Sequence, residues 1–180
     1  MSTLLRLRLP VVIVVTLVLQ RTVLDGIRID GSHPDALLVI PIVVALMGGA
    51  ERGAVVGFFT GLVADAFLPT PFGMSAMIFT LTGYSVGAIR ESIEPAMWWA
   101  APVAAAAASA LAVIAMAVLG TLLGQPEMLH ESLAATAVVV AAFNGLFAPL
   151  ARPVLAWASV RREREGWASS TQGTAIGALR

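Results

Sequence analysis

Six long apolar runs, separated by short polar turns, occupy most of this chain. Charged residues make up 12% of the sequence and hydrophobic residues 58%, whereas an average soluble domain is roughly 25% charged. A helix needs about 20 mostly apolar residues to cross a bilayer, and backbone groups in lipid must be hydrogen-bonded within their own segment. The runs therefore predict membrane-spanning helices near residues 7–24, 34–48, 53–68, 72–89, 97–123 and 132–158.

The expected fold is all-α, a polytopic membrane helix bundle with about six transmembrane helices over residues 1–159. The remaining residues, 160–180, are polar and rich in Gly, Ser and Thr, which predicts a disordered cytoplasmic tail. Arg6 and Arg8 precede the first run as in a signal peptide, but no small-x-small cleavage site follows it, so we interpret it as a retained span. Pro149 and Pro153 are possible kink sites in the sixth run.

The arginines predict the orientation of the bundle. Basic residues concentrate on the cytoplasmic side of membrane proteins, and six spans place both termini on one side. The terminal side collects most of the arginines, and the other side has only Arg28 and the nearby Arg21. We therefore expect a multi-pass membrane protein with both termini cytoplasmic. The arginines on the terminal side are Arg6, Arg8, Arg52, Arg90, Arg152, Arg161, Arg162, Arg164 and Arg180.

Composition and motifs argue against several kinds of chemistry. The chain has no cysteine, which excludes disulfides, thiolate catalysis and cysteine-based metal sites. Its formal net charge is zero and no basic stripe is visible, so we expect no nucleic-acid partner. His33 and His130 are separated in sequence and have no companion ligands or nucleophile. We therefore expect no catalytic residues, no cofactor and no metal, and a protein that is not an enzyme.

The third run contains a stripe of small residues ending in an acid. Gly53, Gly57, Gly61 and Asp65 follow one another at intervals of four, so a helix places them on one face. Such stripes allow helix backbones to approach closely in lipid. The partner of the stripe is either a helix of this chain, for example the fourth run, or a helix of another protein.

Asp65 allows three interpretations. It lies close to the end of its run, so it could be an interfacial acid in contact with water. It could instead be buried and paired with Thr, Asn or Arg, fixing helix packing or a partner site. A proton or ion relay is the third interpretation, although relays usually need more than one acid within the membrane.

The first half of the chain resembles the MreD family of rod shape-determining membrane proteins. The family pattern has a Pro-Asp entry into the second span, a Gly-Phe-x-x-Gly-Leu-x-x-Asp segment in the third, and a Pro-Leu-Gly turn into the fourth. Phe72 replaces the leucine of that turn. The matching residues are Pro34, Asp35, Gly57, Phe58, Gly61, Leu62, Asp65, Pro71 and Gly73.

The resemblance implies a non-enzymatic component of the bacterial cell-wall elongation machinery that lies in the inner membrane and regulates cell shape. MreD-like proteins are thought to partner MreC, a single-span protein with a large external domain. That pair connects MreB filaments to the glycan polymerase RodA and its penicillin-binding transpeptidase. From the physical argument on helix packing, we expect a set of third-span and turn residues to seat spans three and four and to shape a groove for a partner helix. With the stripe, the set is Gly53, Gly57, Phe58, Gly61, Asp65 and Gly73.

A second hypothesis is the substrate-binding membrane subunit of an energy-coupling factor type vitamin transporter, which has a similar size and number of helices. A vitamin pocket needs several polar and aromatic residues in the outward loops. The loop at residues 69–71 is very short, and the loop at residues 124–131 offers only Gln125, Glu127, His130 and Glu131. A third hypothesis, a membrane enzyme, lacks a clustered acid, base or metal set.

Overall fold

A computed structural model describes residues 8–22, 35–67, 71–90, 99–125 and 133–159. The described residues form six helices and no strand, so the all-α expectation is confirmed for this part of the chain. The expected tail at 160–180, His33, His130 and the turn residue Pro69 lie outside the described residues. The helices are α1 (Arg8–Thr22), α2 (Val39–Gly48), α3 (Ala50–Asp65), α4 (Met74–Ile89), α5 (Ala100–Leu122) and α6 (Leu133–Ser159).

Helix α2 is the core of the bundle. Its first seven residues, 39–45, are all buried, and the two leucines before it, Leu37 and Leu38, are each 2% exposed. A helix that is apolar on every side is stable only when other elements surround it. Helices α3, α4, α5 and α6 all pack against α2, and α1 contributes Ile13 and Leu17 to the same core.

The other helices form two pairs and a peripheral helix. α3 packs most extensively on α4, and α5 on α6, whereas α1 contacts mainly α6. The end of α1 meets the start of α2, since the side-chain oxygen of Gln20 accepts a hydrogen bond from the Leu37 N–H at 3.1 Å. The start of α1 meets the end of α6, since Arg8 donates to the carbonyl of Trp157 at 3.4 Å. Because α1 also packs on α6, these two helices run in opposite directions.

Several helices begin a few residues away from their expected starts. The predicted loop at residues 49–52 is a single residue, Gly49, whose φ of 86° breaks the helix, and Ala50 already begins α3. The second helix begins at Val39 rather than near Pro34, because the Asp35 carboxylate accepts hydrogen bonds from the N–H groups of Leu37 and Leu38 and holds a turn there. The fourth begins at Met74 rather than Phe72, after a left-handed Gly73.

Two helices are long and apolar enough to cross a membrane by themselves, α5 and residues Leu133–Ala158 of α6, among the described parts of the chain. Only 28% and 22% of their most apolar windows are buried, so most of their apolar surface faces outward. The core helix of a soluble protein would be mostly buried, and large outward apolar surfaces suit lipid. The shorter helices α2 and α4 are also apolar. Helix α6 continues through Pro149 and Pro153.

Candidate functional site

The glycine stripe of α3 lies against the backbone of α4. An added Cβ at Gly61 would lie 2.5 Å from both Ala76 Cα and the Ser75 carbonyl oxygen. An added Cβ at Gly53 would lie 2.5 Å from the Gly83 carbonyl oxygen, and one at Gly57 would overlap the backbone of Phe79. Real Cβ contacts are never this short, so the two backbones touch along the length of the stripe.

Helix α4 contributes its own small residues to this contact. A Cβ at Gly83 would overlap the backbone of Gly53, and one at Gly87 would overlap Ala50. Dispersion contacts between backbones, rather than a hydrophobic driving force, hold helices together in lipid, and they require this closeness. Of the two partners left open by the sequence, the structure therefore places a helix of the same chain against the stripe.

Asp65 caps the N-terminus of α4 from the end of the preceding helix. One carboxylate oxygen accepts from the Ser75 N–H at 2.9 Å, and the other accepts from the N–H groups of Gly73 and Ala76 at 3.0 Å each. The first N–H groups of a helix have no intrahelical acceptor, and the helix dipole favours a negative charge there. Asp65 is 4% exposed, so it is buried rather than interfacial, and its partners are backbone groups rather than Thr, Asn or Arg.

Gly73 makes this cap possible through its backbone conformation. Its φ is 95°, in the left-handed region that side chains disfavour, and a Cβ there would meet nothing within 4 Å. The conformation turns its N–H toward Asp65, and its carbonyl accepts the Met77 N–H at 2.9 Å in the first turn of α4. Gly73 is therefore required by the backbone conformation of the turn, and not by a close contact between helices.

Phe58 lies apart from the other predicted site residues. Its side chain is 47% exposed on the outward face of α3, beside Phe59, whose ring makes an edge-to-face contact with it at 5.6 Å between centroids. The glycines and Asp65 face α4, so the structure brings Gly53, Gly57, Gly61, Asp65 and Gly73 together and leaves Phe58 on the surface.

A second polar cluster fixes the same end of the bundle, and it includes Asp35, one of the residues that matched the family pattern. Gln20 is 7% exposed; it donates to Asp35 at 3.4 Å and accepts from Leu37 at the start of α2. Arg21 donates to the carbonyl of Phe67, just after α3. The position of Gln20 at the end of an apolar run was the sequence signal that could have indicated this cluster.

The α5–α6 pair holds one buried polar contact. Asn144 and Ser109 are both fully buried, and the Asn144 amide donates to the Ser109 hydroxyl at 2.8 Å. Such interhelical hydrogen bonds contribute about 0.6 kcal/mol on average in membranes. The Asn144 carbonyl oxygen and the hydroxyls of Thr60 and Ser75 are buried and have no hydrogen-bond partner among the described residues.

The described residues hold no group of three or more His, Asp or Glu side chains placed to bind a metal. Asp65 accepts three backbone hydrogen bonds as a helix cap. The arrangement can fix two helices against each other and can present the outer surface of that pair to lipid or to another protein.

A family model described as rod shape-determining protein MreD matches residues 1–155. The chain belongs to the MreD family. The resemblance noted over the first half thus extends through α5 and most of α6, and the chain is a rod shape-determining membrane protein. A comparison with curated proteins and another with solved structures each found no match.

Three of the residues that suggested the family take part in the contacts at the starts of α2 and α4. Asp35, Asp65 and Gly73 lie where α2 and α4 begin, and their contacts set those starts. The family is a structural component of cell-shape control, and its match lends no support to the vitamin-transporter hypothesis.

Proposed function

We propose that this chain is a six-span, non-enzymatic subunit of the cell-wall elongation machinery that binds an MreC-like single-span membrane protein. Family membership across residues 1–155 carries the proposal. Through such a partner the chain would act with a RodA-like glycan polymerase, a penicillin-binding transpeptidase and MreB. We assign the membrane domain to residues 1–159 and a cytoplasmic tail to residues 160–180.

The proposed role of the α3–α4 contact is to provide a stiff framework for the partner. The backbone contact at Gly53, Gly57 and Gly61 and the Asp65 cap leave little freedom between the two helices. A preorganised surface binds a partner at a lower entropic cost than a mobile one. Phe58, which projects outward from this pair, is the residue we assign to direct contact with the partner helix.

The proposed topology places both termini and the α2–α3 and α4–α5 connections in the cytoplasm. The start of α1 lies beside the end of α6, where Arg8 contacts Trp157, and Arg90 approaches Gly49 at the α2–α3 break. These arginines would then lie on the positive, cytoplasmic side. Alkaline phosphatase fused after Gln125 should be active, and a fusion after Arg90 should be inactive. The reverse pattern would refute this orientation.

A pull-down tests the partner. The full chain, tagged at one terminus, is extracted from its own cells in mild detergent, and co-purifying proteins are identified by mass spectrometry. We expect a single-span protein with a large external domain, with or without the wall synthases. Phe58→Ala should reduce its recovery, whereas the control Leu111→Ala, at a similarly exposed apolar position on α5, should not. Recovery of paired ATPases with a coupling subunit would instead indicate a transporter component.

A further inference from the structure

The connection between α3 and α4 differs in composition from the other two connections on the outer side of the proposed topology. No charged residue occurs between Asp65 and Arg90. A charged side chain is costly in lipid, so charges keep the α1–α2 and α5–α6 connections in water, whereas the α3–α4 connection has none. The charged residues of those two connections are Asp25, Arg28, Asp30, Glu127 and Glu131.

Two phenylalanines flank this connection with their side chains exposed. Phe67 follows the end of α3 and is 60% exposed, and Phe72 precedes α4 and is 72% exposed. The backbone beside them is fixed, because Asp65 caps α4 and Arg21 donates to the carbonyl of Phe67. Transfer of an exposed phenylalanine from water to an apolar environment is favourable, so this end of the α3–α4 pair is suited to lipid.

The backbone of this region has its hydrogen-bond partners within the protein, as lipid requires. Pro71 has no N–H, and the carbonyl of Phe67 is bonded to Arg21. Among the residues described from Ala66 to Met77, every N–H except that of Phe72 has a protein acceptor. These N–H groups belong to Ala66, Phe67, Gly73, Met74, Ser75, Ala76 and Met77.

The two helices are also too short to lift this region clear of the membrane. α3 and α4 each have 16 residues, about 24 Å of axis at roughly 1.5 Å per residue. The hydrocarbon core of a bilayer is about 30 Å thick, and tilting shortens the projection of a helix on the membrane normal. The exposed charges of Glu51, Arg52 and Arg90 mark the cytoplasmic ends of the pair. With those ends at the cytoplasmic interface, the outer ends do not pass beyond the lipid.

We propose that Phe67 and Phe72 insert into the outer leaflet, so that the α3–α4 connection is anchored in lipid and does not project into the aqueous space. The two rings lie among the acyl chains close to the head groups, a depth from which the long Arg21 side chain reaches the interface. The inference rests on the multi-span topology proposed above. It restricts the proposed partner, which must contact the α3–α4 pair within the membrane and not through a domain seated on this connection.

Nitroxide accessibility tests the inference, and the absence of native cysteine makes single labels simple to place. Labels at Phe67→Cys and Phe72→Cys report on the connection, and both positions are exposed, so folding should tolerate them. Leu111→Cys, at an exposed position of α5, is the lipid reference, and Glu127→Cys, in the charged α5–α6 connection, is the water reference. The purified full chain is reconstituted in vesicles of dioleoyl phosphatidylcholine and phosphatidylglycerol, with the relaxing agents present on both sides.

We expect the labels at Phe67→Cys and Phe72→Cys to be relaxed more strongly by oxygen, which partitions into lipid, than by a water-soluble nickel chelate. The ratio of the two effects should be several times that at Glu127→Cys and should not exceed that at Leu111→Cys. Ratios equal to that at Glu127→Cys would overturn the inference. So would labels shielded from both agents, since protein and not lipid would then cover the two positions.

A Phe59→Cys label, at an exposed position midway along α3, separates this inference from the proposed topology. If Phe59→Cys gives a lipid-like ratio while Phe67→Cys and Phe72→Cys give water-like ratios, only the lipid anchor fails and the proposed function stands. If all three give water-like ratios, α3 does not cross the membrane, and both proposals fail together.

Discussion

Replacing Asp65 should destabilise the bundle in proportion to the hydrogen bonds that the replacement removes. Asp65→Ala leaves three N–H groups of α4 without acceptors; those of Ser75 and Ala76 are buried, and that of Gly73 is partly buried. A buried donor without a partner costs about 1–3 kcal/mol, and a partly buried one costs less because water reaches it. The expected loss of unfolding free energy is therefore about 3–5 kcal/mol.

Asp65→Asn tests whether stability depends on the number of hydrogen bonds at this position or only on the presence of a polar side chain. Its single carbonyl oxygen can keep the bonds from Gly73 and Ala76, but its amide then faces the Ser75 N–H, donor against donor. One bond is lost and two remain, so the expected loss is about 1–2 kcal/mol. The order of stability should be wild type, then Asn, then Ala.

The assay is unfolding of the purified full chain in mixed micelles with increasing SDS, followed by the fluorescence of its four tryptophans. Glu51→Gln is the matched control, because Glu51 is an exposed acid at the opposite end of α3, and its substitution should change stability by less than about 0.5 kcal/mol. Equal stability of Asp65→Ala and the wild type would refute the cap. Equal losses for Asn and Ala would refute the bond-by-bond explanation.

Three further sets of substitutions test other contacts in the same assay. Gly61→Ala should lower the free energy of unfolding by about 1–3 kcal/mol, because the added Cβ forces α3 and α4 apart. Gly145→Ala is the control and should cost clearly less, since its added Cβ would lie 3.1 Å from its nearest neighbour. Equal losses for the two variants would contradict the close-contact argument. Gly73→Ala should lower the free energy of unfolding by about 1–2 kcal/mol, because a side chain is disfavoured at the positive φ of this position. Gly73→Asn should lower it by less, since asparagine tolerates this conformation better. An Ala variant as stable as the wild type would contradict the left-handed turn. A double-mutant cycle of Ser109→Ala and Asn144→Ala should give a coupling of about 0.6 kcal/mol, and zero coupling would contradict their hydrogen bond.

The sequence predicts the helices because apolar runs and helix geometry act locally. Runs ending at Gly48 and Ile89 correspond to helices that end there, and the spacing of Gly53, Gly57 and Gly61 places them on one face whatever the helix packs against. Which helix lies against that face depends on the tertiary arrangement, and the sequence left a partner from another protein open.

The details of the helix ends were not predictable from composition. Asp65 is bonded to N–H groups that follow it in sequence by eight to eleven residues, and only the fold brings them together. The break at Gly49 was predicted as a longer loop because Glu51 and Arg52 are charged, yet charged residues are common in the first turn of a helix. Nothing in the sequence next to Phe58 indicated that its side chain faces away from the other helices.

Site-specific photocrosslinking tests the central claim, the docking of a partner on the α3–α4 framework, most directly. A photoreactive phenylalanine is incorporated at Phe58 and, as a control, at Leu111 on α5, and crosslinks are formed in growing cells. Our account predicts that the probe at Phe58 captures a single-span protein with a large external domain, and that the probe at Leu111 does not. Capture of that protein from Leu111 alone, or from neither position, would contradict it.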